Sequence, residues 1–85
     1  MADALEDAVL AEVRRIFAAE LERTEPVEPS HQLLGELHVD SLAAIVIAVG
    51  LENRFRVKLS EEDTVGVVTV ADLVKRVAAR VRSTS

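Results

Sequence analysis

The segment Asp40-Ser41-Leu42-Ala43-Ala44-Ile45-Val46-Ile47-Ala48-Val49-Gly50-Leu51-Glu52-Asn53-Arg54-Phe55 decides the fold class. Its centre, Ile45-Val46-Ile47, is β-branched and favours a strand. Its flanks, Leu42-Ala43-Ala44 and Leu51-Glu52, are helix formers, and one isolated strand would have no partner. Leu42, Ile45, Val49 and Glu52 follow at helical spacing, and Asp40 and Ser41 both suit an N-cap. The segment therefore predicts a helix over 41–55 and, with it, an all-α chain.

Working upstream, Pro26 and Pro29 disfavour helix and mark residues 23–40 as a long connection. Leu33, Leu34 and Leu37 are expected to anchor it in the core, since a loop of this length needs anchors of its own. Before it, Leu5, Val9, Leu10, Val13, Ile16, Phe17 and Leu21 recur in steps of three and four, predicting an amphipathic helix over about 4–22. Asp3, Glu6 and Asp7 crowd its first turn, where the helix dipole favours acids. Downstream, Ser60-Glu61-Glu62-Asp63 reads as the cap and first turn of a short third helix, about 61–65. Val65-Gly66-Val67-Val68 is locally strand-like but again unpartnered. Thr69 can cap a last helix over about 70–82, with Val70, Leu73, Val74, Val77 and Val81 inward and a frayed end from Arg82 to Ser85. The expected architecture is a single domain, 1–85. It is a four-helix bundle with three longer helices, one short third helix and a long loop between helices one and two.

At 85 residues, 49% apolar and 29% charged, the chain is sized and composed as one soluble domain. With two Phe and no Trp or Tyr, its core must be Leu, Val, Ile and Ala. The absence of Cys excludes disulfides, Cys-ligated zinc and a thiol nucleophile. Met1-Ala2-Asp3 does not open a signal peptide, and no apolar stretch approaches membrane-spanning length. A complete, cytoplasmic, monomeric chain with no membrane contact is expected. The net charge of −5 is uneven: −7 over residues 1–40, −1 over 41–64 and +3 over 65–85. An acidic front argues against nucleic acid and favours basic protein partners. Lys75, Arg76, Arg80 and Arg82 fit the last turns of a closing helix, opposing its dipole.

The chemistry lies in Leu37-His38-Val39-Asp40-Ser41-Leu42, where a hydroxyl sits at a helix mouth directly after a carboxylate. Unpaired N–H groups and a partial positive charge at such a terminus tolerate an attached phosphate. Taken alone, Asp40 and Ser41 serve equally well as helix caps.

The surroundings carry more. The stretch resembles the Asp-Ser-Leu attachment motif of acyl carrier proteins. The similarity extends to Leu33 and Leu37 upstream, to Leu51-Glu52-Asn53-Arg54-Phe55 and to Val57-Lys58-Leu59-Ser60-Glu61-Glu62-Asp63. It continues through Thr69-Val70-Ala71-Asp72-Leu73, without a gap from about Leu33 to Val77. The resemblance implies a non-catalytic carrier. A phosphopantetheinyl transferase would attach a 4′-phosphopantetheine arm from coenzyme A to the Ser41 hydroxyl, and Asp40 would help that enzyme recognise the site. The arm's thiol would hold acyl groups as thioesters in fatty-acid or polyketide-type biosynthesis. Its partners would be acyl-loading, ketosynthase-type and acyl-transferring enzymes.

Two departures stand out. The family often has Gly two residues before the Asp, where this chain has His38. Many fatty-acid carriers show an acidic second helix; here Glu52 is the one acid between Ser41 and Phe55. Partner contacts are therefore expected through apolar Leu42, Val46 and Val49, with steering by Glu36, Asp40, Glu61, Glu62 and Asp63. The alternatives for Val46 are packing inward or standing as a lone exposed apolar residue.

Other constellations are weaker. His38, Asp40 and Ser41 hold the side chains of a hydrolase triad, but a triad's orientation comes from separate elements. His31, His38 and Glu36 match no standard metal spacing, and Glu61-Glu62-Asp63 lacks the spacing of a calcium loop. No catalytic residue and no metal is expected. Competing readings are a carrier for amino-acyl or D-alanyl groups, an unmodified helical adaptor with a carrier-like fold, and a small hydrolase.

Overall fold

The three-and-four spacing of Val9, Val13, Ile16 and Phe17 gives α1 (Ala4–Ala19) one fully buried face. The computed structural model describes residues 3–84, without the side chains of Glu61 and Thr84. It contains two further α-helices, α2 (Ser41–Phe55) and α3 (Val70–Thr84), and a 3-10 turn, Glu61–Thr64, between them. Among the described residues no strand forms; one isolated bridge pairs Gln32 with Thr69. The chain is all-helical.

Each helix boundary has a local cause. The Asp3 carboxylate caps α1, accepting from the N–H groups of Leu5 and Glu6 at 2.9 and 3.3 Å. It also pairs with Arg82 on α3, which ties the two ends of the described chain together. Where periodicity extends the first helix to about 22, α1 stops at Ala19. Glu22 takes a left-handed conformation (φ 55°), and the Arg23 N–H turns back to the Phe17 carbonyl at 2.8 Å. Thr69 and Asp72 cap α3 reciprocally. The Asp72 N–H donates to Thr69 Oγ1 at 3.2 Å, and the Thr69 N–H to Asp72 Oδ2 at 3.1 Å. In place of the frayed end expected from Arg82, α3 continues through Ser83 to Thr84.

The short third helix expected over about 61–65 is a 3-10 turn of four residues, Glu61–Thr64. Its bonds span three residues, from Asp63 N–H to the Ser60 carbonyl at 3.0 Å and from Val65 N–H to Glu62 at 3.3 Å. So short a turn is held from outside. Arg76 on α3 donates to the carbonyls of Glu62 and Val65 at 3.2 and 3.0 Å, and Arg80 grips the Asp63 carboxylate at 3.0 Å.

The long loop is likewise fastened to α3 and the segment leading into it. The Leu33 N–H donates to Val68, the Val70 N–H to His31 and the Ala71 N–H to Pro29, at 2.8 to 2.9 Å. Leu37 is buried and Leu33 packs on the core, but Leu34 is 74% exposed. The missing anchor is Val27, which is buried while its carbonyl accepts from Arg14 Nε at 2.8 Å.

α1 is the central helix and packs against both α2 and α3. It meets α2 closely at Gly50, where a Cβ would lie 2.6 Å from Ile16 Cδ1. α2 and α3 stand apart across a cleft of about 390 Å3, whose walls include Ile47, Leu51, Leu59, Leu73 and Val77.

Candidate functional site

Three anchors fix the approach to α2. Leu37 is buried, Val39 packs on the core, and the Val39 N–H donates to the Leu33 carbonyl at 2.9 Å. Asp40 follows as the N-cap, its backbone extended and its carboxylate accepting from the Ala43 N–H at 2.8 Å. Ser41 is the first residue of α2, and both Asp40 and Ser41 are exposed. The result is a primary hydroxyl held in solvent at a helix N-terminus, where a bound phosphate would be stabilised. These residues fit a covalently attached phosphopantetheine.

His38 explains the first departure of the sequence. Its backbone is left-handed, with φ 55°, a conformation that Gly adopts freely and His only with strain. The loop thus keeps the conformation that the family's glycine suits. The His38 side chain makes no hydrogen bond to Asp40 or Ser41 among the described residues, so the three form no triad. His31 Nδ1 instead accepts from the Glu28 N–H at 3.0 Å. Among the described residues no three His, Asp or Glu side chains converge as metal ligands.

The apolar face of α2 differs from the expected set by one residue. Leu42 and Val49 are exposed, at 70% and 47%, and the residue between them is Ile45, at 59%. Val46 is half-buried and packs on the core. Residues 42, 45 and 49 lie at i, i+3 and i+7, one helix face. Ile47 and Leu51, at i and i+4, form the opposing buried one. That spacing was in the sequence, but three consecutive β-branched residues leave the helix phase open.

The acids divide. Glu36 is exposed and its carboxylate accepts from the Gln32 N–H at 2.9 Å; Glu62 is exposed. The contact expected at Glu61 falls on a side chain outside the described residues. Asp63 faces inward with a side chain only 12% exposed. The Ser60 N–H, and after it the Arg80 guanidinium, hold its carboxyl below the usual carboxylate range. Among the described residues no helix is long and apolar enough to cross a membrane.

Known proteins are similar to this chain over most of its length. The family described as "Phosphopantetheine attachment site" matches residues 11–77, a span that contains Asp40-Ser41-Leu42. The chain is 36% identical over 78 residues to Acyl carrier protein 3 of Ralstonia nicotianae, covering 88% of this chain and 87% of that one. To the meromycolate extension acyl carrier protein of Mycolicibacterium smegmatis it is 34% identical over 73 residues, 84% of this chain and 73% of that one. A solved acyl-carrier-type structure from Mycobacterium tuberculosis is similar with TM-score 0.70 and 29% identity, over 89% of this chain and 97% of that one. The chain belongs to the acyl carrier protein family: it is a carrier of lipid biosynthesis with a covalent 4′-phosphopantetheine, and not an enzyme.

Proposed function

We propose that Ser41 bears the arm and that the chain shuttles acyl intermediates of a fatty-acid or polyketide-type pathway. The exposure of the Ser41 hydroxyl at the first residue of α2 carries this reading. In the active site of a phosphopantetheinyl transferase the hydroxyl oxygen attacks the phosphorus of coenzyme A that bears the pantetheine. The phosphoanhydride bond breaks, the adenosine-bearing half leaves, and the hydroxyl proton passes to the transferase. Asp40 holds the helix start in shape while presenting its carboxylate to that enzyme. The thiol of the attached arm supplies thioester chemistry.

The surface supports a division of labour among partners. Leu42, Ile45 and Val49, with the edge of Val46, form an apolar contact for acyl-loading, ketosynthase-type and acyl-transferring enzymes. Glu36, Asp40, Glu61 and Glu62 steer basic partners toward it; Asp63 contributes by holding the 3-10 turn in place. That turn occupies the position of the short third helix in a carrier-type bundle. The chain acts as a cytoplasmic monomer.

Incubation with coenzyme A, magnesium and a broad-specificity transferase tests the reading. Intact mass rises by one phosphopantetheine, and the Ser41→Ala chain gains nothing. No gain in the unaltered chain would leave an unmodified helical adaptor.

A further inference from the structure

A groove of about 660 Å3 runs between α1 and α2. The helices are antiparallel there, since Ile16 meets Gly50 and Glu12 meets Arg54. Val46 and Val49 line the groove, and its two ends differ in charge. At one end lies Glu12, the one buried charged residue among the described residues. Its carboxylate accepts from Arg15 Nε at 2.8 Å and lies 3.9 Å from Arg54 Nε. Two guanidiniums thus share one carboxylate that is only 9% exposed, while their own side chains are 54% and 59% exposed. The Phe55 ring, 5.1 Å from the Arg54 guanidinium, steadies that charge without neutralising it. Glu52, the one acid of α2, turns its carboxylate to the Leu59 N–H at 2.8 Å and does not line the groove. At the other end Glu20 is exposed, and with Val46 it also lines the hollow that reaches Asp40 beside Ser41. The groove is therefore positive at the C-terminal end of α2 and negative toward Ser41.

We propose that this groove docks a segment of a partner enzyme in one direction only. An acidic side chain of the partner meets Arg15 and Arg54, an apolar one rests on Val46 and Val49, and a basic one meets Glu20. The proposal deepens, and rests on, the reading that partner enzymes touch the exposed face of α2. Apolar contact through Leu42, Ile45 and Val49 is non-directional and leaves the partner free to turn on that face. Charges of opposite sign at the two ends of an adjoining groove remove that freedom. A segment laid in the reverse sense sets like charge against like at both ends, which costs affinity. The guanidiniums suit a carboxylate in particular, since each presents a fork of donors and Glu12 takes up only part of them. From Val46 to Arg54 the helix rises about 12 Å, so the partner's acid and base stand about that far apart. This polarity points the basic side of the partner toward Ser41. It also gives a carrier without an acidic second helix a means of setting the direction from which its serine is approached.

The test loads the full chain, by a transferase, with the arm of a coenzyme A analogue that ends in a thiol-reactive group, intact mass reporting conversion. The ketosynthase-type enzyme of the source cells, trapped through its cysteine and then purified, serves as partner, and the rate of trapping is measured. Arg54→Glu and Glu20→Lys should each slow trapping about fivefold at low salt, and both losses should fade near 1 M salt, where screening acts within about 3 Å. Arg54→Lys keeps the charge and should trap at close to the unaltered rate. Should Arg54→Glu fail to fold beside Glu12, Arg54→Gln replaces it, with slowing of about twofold expected. Glu20→Lys puts a cation at the C-terminal end of α1, where the dipole favours it. Leu42→Ser, outside the groove, reports on the α2 contact alone. Rates slowed by Leu42→Ser but not by the charge variants, or slowed at one end of the groove only, overturn the proposal and leave the α2 contact standing. Rates unchanged in every variant, or a loaded chain that traps no enzyme, overturn both. A dimer in light scattering that Arg54→Glu abolishes gives the groove to a second copy of this chain and overturns the proposal.

Discussion

His38 and Arg56 are the two residues on either side of α2 whose backbones are left-handed, with φ of 55° and 56°. An L-residue there is strained by about 1–2 kcal/mol, partly offset in a glycine variant by glycine's freer unfolded chain. Arg56→Gly is therefore expected to raise stability by about 1 kcal/mol in urea unfolding. His38→Gly should raise it by less, because His tolerates this region better than Arg does. At Asp40 the cap and the proposed recognition role can be separated. Asp40→Ala removes the acceptor for the Ala43 N–H and should lower stability by about 1 kcal/mol. Asp40→Asn keeps a good cap, so its stability should stay near that of the unaltered chain while transferase modification slows. Equal modification rates for Asp40→Asn and the unaltered chain would leave Asp40 as a cap only. The cap and the exposed hydroxyl were legible at this scale, because a serine after a capping acid needs only local geometry to be exposed.

Among the elements, the 3-10 turn depends most on a single carboxylate. Asp63 accepts from the Ser60 N–H at 2.8 Å and from Arg80. In the fold it titrates below its ordinary 3.8. Its contribution is thus fully present above that pH and is lost as the pH falls through the depressed value. Asp63→Asn should be less stable than the unaltered chain near pH 6, with the gap closing below about pH 3.8; a gap constant with pH would exclude this role. Sequence reading found this element from its cap residues, yet its 3-10 form follows from Arg76 and Arg80, far along the chain. The all-helical character was readable because the helix formers flanking Ile45-Val46-Ile47 outweigh their β-branching. The phase of α2 was not: Gly50, pressed against Ile16, fixes which face turns inward. The same distance hides the loop anchors. Val27 is held by Arg14 and Leu34 is left outside, contacts set by tertiary packing.

For the molecule as a whole, the proposed division is between an acidic front that attracts partners and an apolar α2 face that touches them. Leu42 and Val49 are exposed, so Leu42→Ser and Val49→Ser should shift stability by no more than about 0.5 kcal/mol. They should still slow acyl transfer by partner enzymes by about tenfold, if each fills a docking pocket as interface anchors do. Glu36→Lys combined with Glu62→Lys should slow association at low salt and lose that effect near 1 M salt, where screening acts within about 3 Å. Rates insensitive to both charge reversal and salt would remove the steering role. The proposed function at this scale rests on the exposed hydroxyl at the start of α2. The most direct measurement is a peptide-resolved mass of the chain purified from its own cells. The peptide containing Ser41 should carry a 4′-phosphopantetheine, free or acylated. A bare Ser41 peptide in growing cells, with a competent transferase present, would contradict the carrier function at its root.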